Sequence, residues 1–401
     1  MAPGPAPRWP GPDVPAGSFL PYGRQDIDAD DVAAVVEALG ADFLTTGPRV
    51  EAFEQAFAAA VDAAHAVACA NGTAALHLSM LALGIGPGDR VAVPSVTFLA
   101  TANCARFVGA EVLFTDVDPG TGLMTPGTLR EALERSPGPL RAVLPVHLRG
   151  DVADLKGLAA LAREAGAVLV EDAPHALGSA ADFGDGAEAV GSGRWSSAAT
   201  FSFHPVKTIA TGEGGMVTTP DGDVAARLRR LRSHGMERLP GAVPWLYEMR
   251  EPGFNYRLPD ILCALGQSQL RRLPDFAARR RALAEGYAAA LAPLAPHVRL
   301  AATQAWSRPV LHLLTVLIDF EGLGRTRRRV VEALAAEGIG TQVHYIPVHA
   351  QPYYVGRYGP LDLPGAAAWY RRCLSLPLFP AMADTDVDRV AAALSRALGL
   401  A

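Results

Sequence analysis

Short apolar runs alternate with amphipathic stretches from about residue 30 to residue 233 of the chain. The short runs are rich in Val, Ala and Leu, and they predict strands over residues 66–69, 91–94, 112–115, 142–146, 168–171 and 200–203. Longer runs with apolar residues at helical spacing predict helices over residues 49–61, 73–83 and 151–165, the last with Asp151 as its N-cap. Strands that alternate with helices in this way predict an α/β fold, with a mainly parallel sheet covered by helices on both faces.

The pattern changes after residue 258, where longer helical stretches and fewer strands follow. It predicts a long helix over 261–291 broken near Pro274, a strand over 311–318, a helix over 325–337, a strand near 341–344 and a last helix from Asp384. We therefore expect a flexible, Pro- and Gly-rich tail over 1–18, a large domain over 19–260 and a smaller α/β domain over 261–401.

The composition argues against several classes of protein. A net charge of −5 is not that of a nucleic-acid binder, which would show a basic face. The four cysteines lie far apart without a C-x-x-C pair, so we expect a reducing, cytoplasmic setting with neither disulfides nor a metal site. No apolar stretch reaches about 18 residues, and the tail lacks the apolar segment of a signal peptide, so we expect no membrane span.

Lysine is rare in this chain, since only two of its 36 basic residues, Lys156 and Lys207, are lysines. Lys156 falls on the polar face of the predicted helix over 151–165. Lys207 instead ends the apolar and aromatic run 198–206 and precedes the glycine-rich segment 211–215. Lysine, unlike arginine, can lose its proton when desolvated and attack a carbonyl carbon. The pattern around Lys207 therefore indicates a Schiff-base lysine at the end of a strand, with a solvated loop lysine as the alternative.

A Schiff-base lysine requires a carbonyl cofactor, and pyridoxal phosphate is the best known of these. Its phosphate needs a cradle, for which Gly72 and Thr73 qualify, because free amides at the start of a helix bind anions. Ser202 offers a further hydroxyl close to Lys207 in the sequence. The alternative for residues 71–73 is a simple helix cap.

The pyridine ring of such a cofactor needs a carboxylate at its nitrogen and a flat partner for its face. Asp172 follows a predicted buried strand and is the expected carboxylate, with a turn cap as the alternative. Phe98 follows another strand and could stack on the ring, and His175, one turn beyond Asp172, could support it. Core packing is the alternative for both Phe98 and His175.

Five segments, over residues 70–76, 170–178, 201–207, 212–215 and 253–260, resemble the sugar aminotransferases of the DegT/DnrJ/StrS family, which are fold-type I pyridoxal phosphate enzymes. The resemblance implies that Lys207 binds the cofactor covalently, that Asp172 contacts its pyridine nitrogen and that Phe98 stacks on its ring. It assigns the phosphate to Gly72, Thr73 and Ser202, and it implies a homodimer in which Asn255 reaches the phosphate of the partner subunit. The chain departs from the family at Pro174, where alanine is common. Lys207 favours transamination, because relatives that dehydrate sugars have histidine there.

Residues 21–25, 42–48 and 97–104 look most like one group of this family. These enzymes aminate C4 of UDP-linked 4-keto-6-deoxy-N-acetylhexosamines, as in pseudaminic acid biosynthesis, and the resemblance implies L-glutamate as the donor. Residues 343–349 fit a wall of a sugar-nucleotide pocket, with an ordinary strand edge as the alternative. The substrate contacts expected from the resemblance are Thr46, His204, Tyr256, Arg257, His344 and Tyr345.

Two other functions stay open at this point. A different pyridoxal phosphate enzyme, such as a lyase or an aminotransferase for a 3-keto sugar, a cyclitol or an aminobenzoate precursor, would use the same core residues. A regulatory paralogue without activity would not need the complete set of cofactor residues. A nicotinamide enzyme is disfavoured, because no G-x-G-x-x-G motif follows an early strand.

Overall fold

A computed structural model describes residues 19–238, 241, 243 and 245–400. The predicted tail over residues 1–18 lies outside the described residues. The helices are α1 Ala29–Leu39, α2 Pro48–Ala60, α3 Gly72–Ala82, α4 Leu99–Phe107, α5 Pro126–Arg135, α6 Leu155–Glu164, α7 Gly222–Leu231, α8 Asp260–Arg271, α9 Leu273–Leu291, α10 Arg327–Ala336, α11 Pro352–Tyr358, α12 Pro364–Arg372 and α13 Asp384–Leu398. The strands are β1 His65–Cys69, β2 Arg90–Pro94, β3 Glu111–Thr115, β4 Ala142–Val143, β5 Val168–Asp172, β6 Ala180–Asp182, β7 Ala187–Ala189, β8 Ala198–Ser202, β9 Gly215–Thr219, β10 Met236–Glu237, β11 Glu248–Met249, β12 Val298–Leu300, β13 Ser307–Arg308, β14 Leu314–Ile318 and β15 Cys373–Leu376.

A seven-stranded sheet forms the centre of the large part of the molecule, in the order β1-β9-β8-β5-β4-β2-β3. The strands from β3 to β8 in this order are parallel, whereas β9 is antiparallel to both β1 and β8. Successive side chains of a strand point to opposite faces. Val91 and Val93 of β2 accordingly pack into one buried cluster and Ala92 into another. This architecture confirms the predicted α/β class with a mainly parallel sheet.

A third buried cluster lies in the C-terminal part of the chain. Here β12, β14 and β15 form an antiparallel sheet, and Tyr287 of α9 and Leu394 of α13 pack in the same cluster. Leu20 also joins this cluster and pairs with the backbone of Gly338 and Gly340 at 2.7 and 2.8 Å. The first described residues therefore pack with the C-terminal part, and the proposed domain boundary at residue 260 stays a prediction.

The predicted N-cap at Asp151 is wrong. Helix α6 begins at Leu155, and Asp154 caps it by accepting a hydrogen bond from the N–H of Gly157. The carboxylate of Asp151 is instead engaged by the side chain of Arg149 and by the N–H of Gln304. A contact with residue 304 leaves no local signal in the sequence around residue 151.

Two predicted strands also differ from the structure. Strand β4 ends at Val143, because Pro145 has no N–H with which to continue the ladder over 142–146. Within the described residues no strand forms over 341–344, where Gln342 makes an isolated bridge with Ser375 instead. The break predicted near Pro274 is confirmed at Arg272, since proline is tolerated only in the first turn of the helix that follows. None of the helices in the described ranges has the length and apolar character needed to cross a membrane.

Candidate active site

A cavity of about 650 Å³ opens at the edge of the large sheet where β5 and β8 end. Its lining joins these strand ends to residues 342–346 of the C-terminal part of the chain. Ten residues predicted from the sequence line it, namely Gly72, Thr73, Phe98, Asp172, His175, Ser202, His204, Lys207, His344 and Tyr345. The fold therefore brings together side chains that lie far apart in the sequence.

The start of α3 forms a cradle at one end of the cavity. Asn71 caps the helix, with its Oδ1 accepting a hydrogen bond of 2.8 Å from the N–H of Ala74. The amides of Gly72 and Thr73 precede the first intrahelical donors, so they remain available to an anion. A Cβ atom at Gly72 would lie 2.8 Å from Cβ of Ser202, so only glycine lets this helix start approach β8 so closely. The backbone amides and the Ser202 hydroxyl together suit a phosphate group.

Asp172 is buried at the end of β5. Its Oδ2 accepts a hydrogen bond of 2.5 Å from Thr101 Oγ1, which in turn lies 2.6 Å from Thr97 Oγ1. Burial raises the pKa of Asp172, while the Thr101 hydroxyl and the Lys207 cation act in the opposite direction. The Asp172 side chain thus contacts the side chain of Thr101 and does not cap the turn that follows β5, which was the alternative role for this residue. A protonated ring nitrogen beside this carboxylate would favour its charged form.

Lys207 lies in the turn after β8, and its N–H donates to the carbonyl oxygen of His204 over 2.8 Å. The side chain is partly buried in the cavity wall. Desolvation lowers the pKa of Lys207 to about 8, although the charge of Asp172 opposes this shift. Much of the amine is therefore neutral near pH 8, which attack on a carbonyl carbon requires. Lys156, in contrast, is exposed, with its Nζ 3.3 Å from Asp185 Oδ2.

Two rings predicted to contact the cofactor also border the cavity. Phe98 is 57% exposed, so it is not the core residue that was the alternative, and its ring lies 6.1 Å from that of Tyr345. His175 is buried, with its ring 4.6 Å from that of His312. Burial and the nearby charge of Lys207 lower the pKa of His175 well below its ordinary value. The ring-stacking and ring-supporting roles of Phe98 and His175 stay predictions.

Sequence reasoning missed several residues of the cavity wall, among them Tyr22, Thr101, Glu213 and His312. Thr101 lies on α4, a helix that the apolar pattern does not predict, so the sequence offers no signal for its place in the cavity wall. Tyr22 and His312 reach the cavity only through the packing of distant segments, which leaves no local pattern.

Four predicted contacts lie outside this cavity within the single chain. Thr46 and Arg257 line a second depression of about 610 Å³, and Asn255 pairs with Ser233. Tyr256 stacks on Phe254, with ring centroids 4.9 Å apart. The roles assigned to Thr46, Asn255, Tyr256 and Arg257 stay predictions.

The sequence profile of the DegT/DnrJ/EryC1/StrS aminotransferase family matches residues 25–395, which is most of the chain. The chain belongs to this family. The site suits amino transfer, because the cavity of this aminotransferase holds a lysine with a lowered pKa, a buried aspartate and a backbone cradle for an anion. The resemblance to the family is confirmed.

Solved structures of sugar aminotransferases are similar over nearly the whole length. DesV of S. venezuelae is 34% identical, with a TM-score of 0.83 over 95% of this chain and 99% of that one. DesI, solved in the presence of its TDP-sugar product, is 33% identical, with a TM-score of 0.84 over 96% of this chain and 94% of that one. PseC of Helicobacter pylori, involved in the biosynthesis of pseudaminic acid, is 26% identical, with a TM-score of 0.87 over 95% of this chain and 100% of that one. The protein is thus a fold-type I, pyridoxal phosphate-dependent aminotransferase, as predicted.

The residues of this family member fit pyridoxal phosphate. A Cβ atom at residue 72 would fill the space between Gly72 and Ser202, which lies beside the unpaired backbone amides at the start of α3. A phosphate group can bind to these amides. Asp172 is a carboxylate whose charge burial disfavours, so a cationic ring nitrogen would stabilise it. Lys207 is a lysine whose proton is held weakly. Each of these features matches one part of the cofactor.

Proposed function

We propose that this enzyme transfers the amino group of L-glutamate to C4 of a UDP-linked 4-keto-6-deoxy-N-acetylhexosamine. The proposal is supported by the likeness to PseC over 95% of the chain and by the resemblance of residues 21–25, 42–48 and 97–104 to that group. The observation that carries it is the cavity, whose volume of about 650 Å³ leaves room for a sugar beside the cofactor. His204, His344 and Tyr345 line the space that the sugar would occupy.

A TDP-linked keto sugar is the second candidate substrate. DesV and DesI are more similar in sequence to this enzyme than PseC is, and DesI was solved with a TDP-sugar product. The fold and the cofactor residues serve either substrate equally.

The cofactor-binding residues have distinct tasks in the proposed reaction. When bound, pyridoxal phosphate supplies an electron sink for the carbon that carries the transferred nitrogen. Gly72, Thr73 and Ser202 would hold its phosphate, and Asp172 would keep its ring nitrogen protonated. Together they fix the position of the reacting carbon relative to the amine of Lys207.

Lys207 would be the acid and base of both half-reactions. Its Nζ, with a pKa lowered to about 8, would take the proton from the α-carbon of the donor. In the second half-reaction it would deliver a proton to C4 of the sugar. The partly buried position of Lys207 limits the loss of these protons to water.

We also propose a homodimer in which Asn255 reaches the phosphate bound in the partner subunit. Asn255 lies beside Ser233 and outside the cavity of its own chain, which supports a role in a second site. Thr46 and Arg257 share a separate depression and would face the partner in the same way. One chain would then contribute to two active sites.

The test of this function is a comparison of acceptors with the purified, cofactor-loaded enzyme. UDP-linked and TDP-linked 4-keto-6-deoxy sugars are each incubated with L-glutamate, and the amino sugar is identified by mass spectrometry and NMR. We expect 2-oxoglutarate and a 4-amino sugar with the UDP-linked acceptor, and neither with the Lys207→Ala variant. Faster amination of the TDP-linked acceptor would favour the second candidate. Amination of a 3-keto sugar, with neither 4-keto acceptor converted, would contradict the proposed position.

A further inference from the structure

Arg149 is buried in a backbone conformation that residues with a side chain rarely adopt. Its φ angle is 68°, in the left-handed region. The guanidinium is held by Asp151 Oδ2 at 3.3 Å and by the carbonyl oxygen of Ala302 at 2.7 Å. The N–H of Arg149 then donates to Nδ1 of His175 over 3.3 Å. Strained backbone that surrounding contacts maintain is characteristic of functional sites.

This contact decides which nitrogen of His175 carries a proton. A backbone N–H can only donate, so Nδ1 must accept and cannot itself be protonated. Burial and the charge of Lys207 lower the pKa of His175, so the ring stays neutral. The single ring proton therefore lies on Nε2, which is 3.3 Å from the hydroxyl oxygen of Tyr345. Nε2–H of His175 donates to that oxygen.

The hydroxyl of Tyr345 consequently has its own proton left to donate. In the described part of the chain, His175 is the one hydrogen-bond partner of this hydroxyl. Tyr345 lines the cavity beside Phe98, so a bound ligand can become the acceptor of this proton. Burial raises the pKa of Tyr345, and the phenol keeps its proton throughout the physiological range.

Tyr345 is one of the substrate contacts expected from the family resemblance. We propose that His175 and the backbone amide of Arg149 are positioning groups that orient the Tyr345 hydroxyl to donate a hydrogen bond to a substrate oxygen. This inference rests on the proposed function, because the oxygen that accepts the hydrogen bond belongs to one of the two substrates of amino transfer. Hydrogen bonds in series strengthen one another in a buried site, so accepting from His175 makes Tyr345 a stronger donor. Two substrate oxygens could accept this hydrogen bond, a carboxylate oxygen of L-glutamate or the carbonyl oxygen of the keto sugar.

The first experiment removes only the hydroxyl, in the variant Tyr345→Phe, and follows each half-reaction separately in single turnovers of the cofactor-loaded enzyme. We expect the half-saturating concentration of one substrate to rise about tenfold or more, as for a lost hydrogen bond to a polar or charged partner. Cofactor affinity should change by less than about threefold. A defect with L-glutamate identifies the carboxylate, and a defect with the keto sugar identifies the carbonyl. Tyr370→Phe, on α12 and away from the cavity, is the matched control.

The positioning role is tested with two substitutions of His175. A glutamine side chain can accept from the Arg149 amide and donate to Tyr345, whereas leucine can do neither. We expect His175→Gln to retain most of the substrate affinity and His175→Leu to lose as much as Tyr345→Phe. The double variant with Tyr345→Phe and His175→Leu should be no worse in substrate affinity than either single variant, because both remove one chain of hydrogen bonds.

A readout that does not depend on activity is the ¹⁵N NMR spectrum of His175, assigned with His175→Gln. We expect a neutral ring protonated on Nε2 between about pH 6 and 8. A proton on Nδ1 would overturn the proposal by itself, as would unchanged half-reactions in Tyr345→Phe or a loss confined to cofactor affinity. Failure of the wild-type enzyme with every keto sugar would instead contradict the proposed function, and the glutamate half-reaction and the NMR result would still test the roles of Tyr345 and His175.

Discussion

Lys207 and Lys156 show how one residue type acquires two roles from its surroundings. Lys156 lies on the surface of α6 beside Asp185, in an exposed ion pair that contributes little to stability. Lys207 lies in a cavity where desolvation holds its pKa near 8. The same amine is therefore part of a surface ion pair at one position and a potential nucleophile at the other.

Replacement of Lys207 by alanine should abolish turnover, with a loss of about 10³-fold or more, because no other amine can bind the cofactor or move the proton. Borohydride reduction followed by peptide mass spectrometry should find the cofactor on Lys207 of the wild-type enzyme. Lys156→Ala is the matched control and should keep normal activity. Normal turnover in Lys207→Ala would refute the role of Lys207.

The lowered pKa of Lys207 predicts how cofactor capture depends on pH. Below about pH 8 the amine is protonated and cannot attack the aldehyde, and above it the neutral form dominates. The rate of pyridoxal phosphate binding to the cofactor-free enzyme should therefore rise with pH and level off just above 8. Stopped-flow absorbance measures this profile. A rate that keeps rising towards pH 10 would mean that Lys207 has the pKa of an ordinary lysine.

At the scale of secondary structure, the cradle depends on how closely α3 approaches β8. The N-terminal turn of α3 is held by the Asn71 cap, and Gly72 faces Ser202 without a side chain between them. The phosphate cradle needs both elements, because α3 supplies the backbone amides and β8 supplies the Ser202 hydroxyl. The sequence predicts each of them, but not the distance between them.

Replacement of Gly72 by alanine tests this junction. The added Cβ would lie 2.8 Å from Cβ of Ser202, so the helix start must shift away from the phosphate position. We expect pyridoxal phosphate to bind about tenfold more weakly or worse, as for a lost charge-assisted hydrogen bond. Gly356→Ala on α11 is the control, since no atom lies within 4 Å of its new Cβ. Equal cofactor affinity in both variants, by fluorescence titration, would show that the junction is not the phosphate site.

The secondary structure also shows which parts of the site a sequence can predict. Asp172 and Ser202 end strands with a clear apolar pattern, so their place at the edge of the sheet could be predicted. Thr101 and His312 could not, because they contact Asp172 and His175 only through folding. The sequence predicts a strand over residues 341–344, part of which lines the cavity, but this prediction is wrong. The segment makes one isolated bridge, between Gln342 and Ser375.

At the level of the whole molecule, the proposed homodimer would bring residues of two subunits to each site. The cavity of one chain is lined by Asp172 and Lys207, whereas Asn255 and Arg257 lie elsewhere. A symmetric dimer would bring each of these residues to the partner's site in the same way.

Mixing two inactive variants tests this arrangement. Lys207→Ala and Asn255→Ala damage different subunits of the same site, so a mixed dimer keeps one intact site. After denaturation and refolding together in equal amounts, we expect about a quarter of the wild-type activity, against almost none for either variant alone. Activity that does not recover on mixing would place Asn255 in the site of its own chain, or in no site. Light scattering should give the mass of a dimer.

Transfer of the amino group from L-glutamate to the cofactor can be seen directly in the absorption spectrum of the cofactor-loaded enzyme, recorded before and after L-glutamate is added without any acceptor. We expect a visible band of lysine-bound cofactor that glutamate removes and replaces with the near-ultraviolet band of the aminated cofactor. The visible band should be absent from Lys207→Ala. One 2-oxoglutarate should form per active site. A visible band that glutamate leaves unchanged would contradict glutamate as the donor, and the same band in Lys207→Ala would contradict the assignment of the lysine.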